Sequence, residues 1–148
     1  MPQSFARINY HIVFSTKGRR PLLPRSVRSG LFDTMGSILK CRGCRLLEAG
    51  GIEDHVHLLI DVARDRSMSD IVRDIKANSS KILRADGHPS FAWQRGYAAF
   101  TVSYLGVDVV RRYIRNQEEH HRKAIFEEEY VRLLEEHEIP YDQRYMWD

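Results

Sequence analysis

Hydrophobic and polar residues alternate near the start of the chain in the way expected of a β-strand. Between residues 5 and 15, every second position is apolar, namely Ile8, Tyr10, Ile12 and Phe14. Successive side chains of a strand leave on opposite faces, so the positions between them, including His11, share a second and more polar face. The pattern predicts a first strand with one face packed on a core.

Two later segments show the apolar spacing of amphipathic helices. The first runs from about residue 24 to residue 40. The second begins after a capping serine, Ser67 or Ser69, and reaches about residue 84. Its buried stripe is predicted to consist of Met68, Ile71, Val72, Ile75 and Ile82.

Three more strands complete the predicted sheet. One is expected near residues 44–48, the next follows a turn at Gly50-Gly51, and the last lies near residues 98–104. The order β-α-β-β-α-β predicts an α+β fold of the ferredoxin-like or RNA-recognition type, with both helices on one face of an antiparallel sheet. A helix at about 109–121 and a last amphipathic helix follow. We expect a single domain, 1–148, with one sheet face open.

The third predicted strand carries two histidines that point the same way. In the run Asp54 to Ile60, His55 and His57 leave on one face, while Val56 leaves on the other. Two imidazoles on one face need hydrogen bonds, solvent or a metal ion, because buried polar groups without partners are unfavourable. The pair is either a half-exposed feature of the sheet surface or part of a metal site.

Composition and charge narrow the class of protein. With 148 residues, 43% hydrophobic and 29% charged, the chain is an ordinary globular protein, which excludes disordered and fibrous classes. No apolar run is long enough to span a bilayer, and the N-terminus begins no signal peptide, so we expect a cytoplasmic protein.

The net charge of +3 is unevenly distributed along the chain. Counted from the sequence, residues 1–47 carry +8, residues 48–117 carry +1 and residues 118–148 carry −6. The basic half fits a polyanionic partner such as nucleic acid, or a solvated basic surface. The acidic C-terminal part is interpreted as a solvated helix face.

Two cysteines, Cys41 and Cys44, form a lone Cys-x-x-Cys pair. A structural zinc site needs about four ligands, and the chain has no second cysteine pair. We therefore expect two reduced, partly buried thiols.

Tyr113 and Gln117 stand four residues apart in the helix predicted after the fourth strand, and so share one helical face. A tyrosine hydroxyl becomes a good nucleophile only when a cation or base helps it to ionise. Gln117 could supply an amide oxygen to such a cation. The alternative is a packed aromatic residue beside a surface glutamine.

Taken together, these motifs resemble the single-tyrosine HUH transposases. The resemblance is carried by His55-Val56-His57, by Tyr113 with Gln117, by the segment Trp93 to Tyr97, and by Tyr10 to Lys17. It spans roughly residues 5–130. This family comprises the small TnpA-type transposases of insertion sequences that move as single-stranded DNA, with the REP-associated tyrosine transposases as close relatives.

The resemblance implies a mechanism. His55, His57 and Gln117 would bind Mg²⁺ or Mn²⁺, and Tyr113 would attack a phosphate of single-stranded DNA. The products would be a 5′-phosphotyrosine and a free 3′-hydroxyl, and the reverse step would rejoin DNA without ATP.

The resemblance also implies partners. Family members form homodimers in which the tyrosine can act in trans, and they recognise DNA hairpins at the element ends. We expect the open sheet face to contact bases. We also expect the protein to be associated with the nucleoid of a bacterial or archaeal cell. The candidate DNA-binding residues are basic: Lys17, Arg19, Arg20, Arg73, Lys76 and Arg84. The last three could instead form an ordinary solvated helix face.

Three other functions share part of this pattern. A histidine-triad hydrolase would need a third histidine where this chain has Leu59, so that class is excluded. A non-catalytic nucleic-acid-binding module on the same fold would make no use of Tyr113. A domesticated relative that cuts DNA without moving cannot be separated from a transposase by sequence.

Overall fold

An antiparallel sheet forms the centre of the fold. A computed structural model describes residues 2–121 and 124–148 of the chain. Within these residues, four strands pair in the order β2-β3-β1-β4, which is the ferredoxin-like order. They are β1 (Asn9–Ser15), β2 (Arg45–Ile52), β3 (His55–Asp61) and β4 (Ala98–Val102).

Two long helices cover one face of this sheet. Helix α1 spans Arg25–Cys41 and helix α2 spans Met68–Ala85, where the hydroxyl of Ser67 caps α2 by accepting from the backbone N–H of Asp70 at 3.2 Å. The predicted apolar faces of β1 and β3 lie beneath them, and the core residues include Ile12, Phe14, Met35, Leu58, Ile60 and Ile75. The predicted fold class is confirmed.

The opposite sheet face is covered as well, so the prediction of an open face is wrong. Helices α3 (Val107–Arg115), α4 (Gln117–His120) and α5 (Phe126–Glu136) lie over it. The reason is that each central strand places an apolar residue beside its histidines, Val13 in β1 and Leu59 in β3, and the C-terminal helices bury both. His11 is 5% exposed, and His55 and His57 are 0% exposed.

Gly50 and Gly51 do not form the predicted turn. Both lie in β2, and the turn before β3 is at Glu53-Asp54. A Cβ atom on Gly50 would lie 2.2 Å from the carbonyl oxygen of Ile114. The glycines therefore allow a neighbouring backbone to approach closely, which is one of the roles that glycine has inside a strand.

Two details of the helices differ from the prediction. The helix expected at about 109–121 breaks at Asn116 into α3 and α4. In α2, Ile82 is 47% exposed and Leu83 is buried in its place. The buried stripe passes through Ser79, whose hydroxyl accepts a hydrogen bond from the Trp93 indole N–H at 3.0 Å, and a serine gives no hydrophobic signal.

Both cysteines are free thiols, as predicted, but their burial is unequal. Cys41 is exposed, while Cys44 is buried and its sulfur accepts from the backbone N–H of Ala63 at 3.4 Å. Among the helices that the structure describes, none combines the length and the apolar character required to cross a membrane.

Candidate active site

The carboxylate of Glu129 lies at the centre of the buried histidines. Glu129 belongs to α5 and is 1% exposed. Its Oε1 atom lies 3.0 Å from Nε2 of His57, 3.2 Å from Nε2 of His121 and 3.5 Å from Nε2 of His55. Three imidazoles from β3 and the end of α4 therefore converge on one carboxylate oxygen.

The second oxygen of Glu129, Oε2, accepts hydrogen bonds from side chains of α3 and α4. The Tyr113 hydroxyl donates to Oε2, and the Gln117 amide donates to the same atom at 3.2 Å. Arg132, one turn further along α5, donates to the Tyr113 oxygen at 3.2 Å. The tyrosine, the glutamine and the histidines thus meet within a single chain.

The histidines are oriented by groups behind them. Nδ1 of His55 lies 2.8 Å from a carboxylate oxygen of Asp54, and the His55 ring stacks on Phe126 with 3.7 Å between ring centroids. Nδ1 of His57 lies 2.8 Å from Nε2 of His11. Such contacts leave the Nε2 atoms of both rings facing the site, as in histidines that ligate metals.

Electrostatics in the cluster favour an ionised Glu129 and a neutral His57, whereas at His55 burial is outweighed by hydrogen bonds with Asp54 and Glu129, which raise its pKa. Burial alone would raise the pKa of Glu129, but its hydrogen bonds with His121, His55 and His57 outweigh burial and hold that pKa far below the usual value. Burial lowers the pKa of His57 to about 4. A negative oxygen beside a neutral imidazole is a donor set that divalent metals accept.

Burial and the hydrogen bond to Glu129 shift the pKa of Tyr113 in the same direction. Both raise the pKa of the phenol above its usual value, and Arg132 opposes them only in part. The tyrosine is therefore protonated at neutral pH in this arrangement. A cation near Oη would be needed to favour the phenolate.

The donor types and spacings fit a divalent ion. Ligand atoms of His55, His121 and Glu129 all lie within 4.8 Å of one another. The amide oxygen of Gln117 lies 3.2 Å from Nε2 of His55 and 3.0 Å from Nε2 of His121. The cluster is a possible metal-binding site.

The four residues predicted for the chemistry are brought together, and three neighbours were missed. His55, His57, Tyr113 and Gln117 share the cluster, but Glu129, His121 and the role of His11 were not foreseen. The acidic C-terminal part was interpreted as a solvated face, which is wrong for Glu129. Its spacing of three residues after buried Phe126 was the available signal.

Three of the predicted DNA-binding residues line a groove between α2 and residues 92–97. Arg73, Lys76 and Arg84 border this groove of about 480 Å³, and Trp93 and Tyr97 contribute to its wall. The Lys76 ammonium donates to the carbonyl oxygens of Arg95 and Gly96, at 2.9 Å each. Burial lowers the pKa of Lys76 to about 8, so it is a weaker phosphate contact than the two arginines.

The other three predicted DNA-binding residues lie in the loop after β1. Lys17 and Arg20 are exposed, whereas Arg19 forms an ion pair with Glu127 and stacks over Trp147. The loop adjoins the groove, because the backbone N–H of Lys17 donates to the carbonyl of Ala92 at 2.9 Å. The two groups of predicted DNA-binding residues, those of α2 and those of the loop after β1, therefore border the same segment, residues 92–97.

The fold and the site together define a class of protein: a ferredoxin-like sheet whose paired histidines meet a tyrosine from a C-terminal helix. The chain belongs to the family of IS200-like transposases, whose family model matches residues 4–117. The family indicated by the motifs is thereby confirmed, and membership makes the chain a DNA-processing enzyme.

Related proteins agree with this membership. The transposase of insertion sequence IS200 from Salmonella typhimurium is 30% identical over 115 residues, which cover 73% of this chain and 75% of that protein. The ISDra2 transposase TnpA of Deinococcus radiodurans is 25% identical over 119 residues, covering 75% of this chain and 84% of that protein.

Solved structures share the fold. A Deinococcus radiodurans protein crystallised as a candidate transposase superposes with a TM-score of 0.63 at 25% identity, covering 79% of this chain and 98% of that one. A REP-associated tyrosine transposase bound to a REP hairpin gives a TM-score of 0.62 at 15% identity, covering 82% of this chain and 73% of that one.

Proposed function

We propose that this chain is a metal-dependent, single-strand-specific DNA transposase with Tyr113 as its nucleophile. One observation carries the proposal: in a chain of the IS200-like family, the Tyr113 hydroxyl donates to Glu129, the buried carboxylate that also contacts His55, His57 and Gln117. A tyrosine beside possible metal ligands is the arrangement that phosphoryl transfer to a protein hydroxyl requires.

The proposed reaction exchanges one phosphodiester bond for another. The Tyr113 oxygen attacks the scissile phosphorus, the bond from phosphorus to the 3′ oxygen breaks, and that oxygen leaves as a 3′-hydroxyl after taking up a proton. The product is a 5′-phosphotyrosine, so a 3′-hydroxyl can reverse the step without ATP. Before attack, the phenolic proton must pass from Tyr113 to an acceptor, and the Glu129 carboxylate, which accepts the Tyr113 hydrogen bond, is in place to take it.

His55, His57 and Gln117 would hold Mg²⁺ or Mn²⁺ through two imidazole nitrogens and one amide oxygen. When bound, such an ion supplies charge stabilisation for the phosphate and lowers the pKa of the phenol. Asp54 and His11 orient the two histidines from behind, and the covering helices exclude water from the cluster.

The proposed DNA partner is a single strand with hairpin ends. A structural neighbour of the same fold, a REP-associated tyrosine transposase, is bound to a REP hairpin, and the groove along α2 presents Arg73 and Arg84 beside aromatic residues. We propose a homodimer. Tyr113 and His57 of the same chain bond to one carboxylate, that of Glu129, which supports cleavage in cis.

The deciding experiment combines protein, Mg²⁺ or Mn²⁺, and labelled single-stranded hairpin DNA from an element end. We expect a protein–DNA adduct that survives denaturation, and we expect Tyr113→Phe to abolish it. Tyr104→Phe is the matched control, because Tyr104 is 70% exposed and lies outside the cluster. An adduct of undiminished yield with Tyr113→Phe contradicts the assignment of the nucleophile.

A second substitution separates catalysis from binding. We expect His57→Ala to lose cleavage while it keeps most of its affinity for the hairpin, measured by fluorescence anisotropy. A parallel loss of binding and cleavage would instead favour the non-catalytic binding module.

A further inference from the structure

The spacing of donor atoms in the cluster matches the ligand sphere of a single ion. Distances between neighbouring donors, taken among His55, His57, Gln117, His121 and Glu129, range from 3.0 to 3.5 Å. Ligands bonded at about 2.1 Å to one ion lie roughly 3.0 Å apart at right angles and roughly 3.4 Å apart at tetrahedral angles. The distances between neighbouring donors are close to these values, and the ligand atoms of His55, His121 and Glu129 all lie within 4.8 Å of one another.

The surroundings of Glu129 are also suited to a cation. Its carboxylate is 1% exposed, and its contacts are imidazoles, an amide and a phenol. Among the residues that the structure describes, no lysine or arginine forms an ion pair with it. Burying a carboxylate away from water is costly, and a metal ion bound beside these histidines would offset that cost.

We propose that Glu129 and His121 are metal ligands of this chain, together with His55, and that this set selects a first-row transition ion over Mg²⁺. The inference rests on the proposed function, since it completes the same centre. It goes beyond the family match, which ends at residue 117 and so contains neither Glu129 nor His121.

The chemistry of the ligands determines the selectivity. Mg²⁺ takes oxygen ligands in near-ideal octahedral geometry and keeps several waters. Imidazole nitrogens bind first-row transition ions better, and affinity for a given site rises from Mn²⁺ to Co²⁺. A centre with two or three imidazoles and one carboxylate therefore disfavours Mg²⁺.

The position of the two ligands gives metal binding a structural effect. Glu129 is in α5, His121 directly follows α4, and His55 begins β3. An ion held by all three joins the C-terminal helices to the sheet. Bound metal should therefore raise the thermal unfolding temperature of the whole chain.

The test is a metal titration of the full chain after chelation, followed by calorimetry and by thermal unfolding. We expect Co²⁺ and Mn²⁺ to bind at least about 10-fold more tightly than Mg²⁺. We expect Glu129→Gln and His121→Gln each to weaken Mn²⁺ binding at least about 10-fold. The matched controls, Glu128→Gln on the exposed side of α5 and His88→Gln in the turn after α2, should bind as the unchanged protein does.

Two results would overturn the inference. One is unchanged Mn²⁺ affinity in Glu129→Gln and His121→Gln while His57→Ala loses it, which would restrict the site to the ligands of the resemblance and leave the proposed function intact. The other is equal affinity of the unchanged protein for Mg²⁺ and Mn²⁺, a measurement that needs no variant and decides the matter if the substituted proteins do not fold.

The adduct assay keeps the two proposals apart. Selective Mn²⁺ binding through Glu129 without any protein–DNA adduct would support the ligand set and contradict the transposase chemistry. Binding of none of the three ions by the unchanged protein would contradict both the ligand set and the metal dependence.

Discussion

Single side chains decide whether α3 can reach the cluster. Gly50 in β2 lies against the backbone of Ile114, the residue that follows Tyr113. A side chain at position 50 would press on the carbonyl oxygen of Ile114 and move α3 away from the sheet. The tyrosine depends on this contact because its hydroxyl bonds to Glu129 only when α3 lies close to β2 and β3.

Gly50→Ala should therefore destabilise the protein and reduce adduct formation. The added Cβ would lie 2.2 Å from the Ile114 carbonyl oxygen, and overpacking of this kind costs about 1–3 kcal/mol. Gly30→Ala is the control: Gly30 lies in α1 with open space around it, so alanine should stabilise by about 0.5–1 kcal/mol. Urea unfolding measures both, and equal stability of the two variants would contradict the steric account.

Among the helices, α1 and α4 are joined by an ion pair next to the site. Arg28 donates to a carboxylate oxygen of Glu118 at 3.0 Å and to the carbonyl of Leu23 at 2.8 Å. Arg25 also donates to Glu118, at 2.8 Å, but the Arg25 side chain is exposed to solvent. Glu118 follows Gln117 directly, so the pair positions the start of α4 and with it the candidate ligand.

The two arginines should differ in their contribution to stability. The Arg28 side chain is 10% exposed and the Arg25 side chain 81% exposed, although both pair with Glu118. We expect Arg28→Ala to lower the free energy of unfolding by about 1–3 kcal/mol, because the buried carbonyl of Leu23 loses its hydrogen bond. Arg25→Ala should cost about 0–1 kcal/mol. A loss of equal size from both arginines, by urea unfolding, would show that burial does not matter here.

Across the protein, the basic residues predicted to bind DNA border one surface, which we propose as the DNA-binding surface. The basic N-terminal half contributes the loop after β1, and α2 contributes Arg73 and Arg84, so both border residues 92–97. The acidic C-terminal part also reaches this surface, since Glu127 pairs with Arg19 and the carbonyl of Asp148 accepts from the backbone N–H of Gly96 at 2.8 Å, while the buried Glu129 belongs to the candidate metal centre.

Arg73→Gln and Arg84→Gln should each weaken binding of hairpin DNA and make it less dependent on salt. Each lost phosphate contact lowers the slope of log affinity against log salt by about 1. Lys76→Gln should change the slope less, because the ammonium already bonds to two carbonyls. Lys81→Gln, on the exposed side of α2, is the control. Anisotropy titrations at several salt concentrations measure the slopes, and unchanged slopes for both arginines would exclude the groove.

Periodicity along the chain was sufficient to predict the ferredoxin-like order and the shared face of His11, His55 and His57. These features depend on the geometry of neighbouring residues, since strands alternate and helices repeat regardless of what packs on them. The same local rules failed at Gly50, at Ser79 and at Asn116, where a close approach, a buried hydroxyl and a break between helices depend on distant neighbours.

A seven-residue segment was sufficient to predict that the paired histidines share one face, because side chains alternate along a strand. Their burial and their partners depend on packing between residues far apart in the chain. Glu129 reaches His57 across 72 positions only because α5 folds back over the sheet and buries Phe126 against His55. The apolar stripe of α5 determines the face on which Glu129 lies, but the histidine partners of Glu129 belong to the sheet. The contact between them therefore depends on tertiary packing and not on a local sequence pattern.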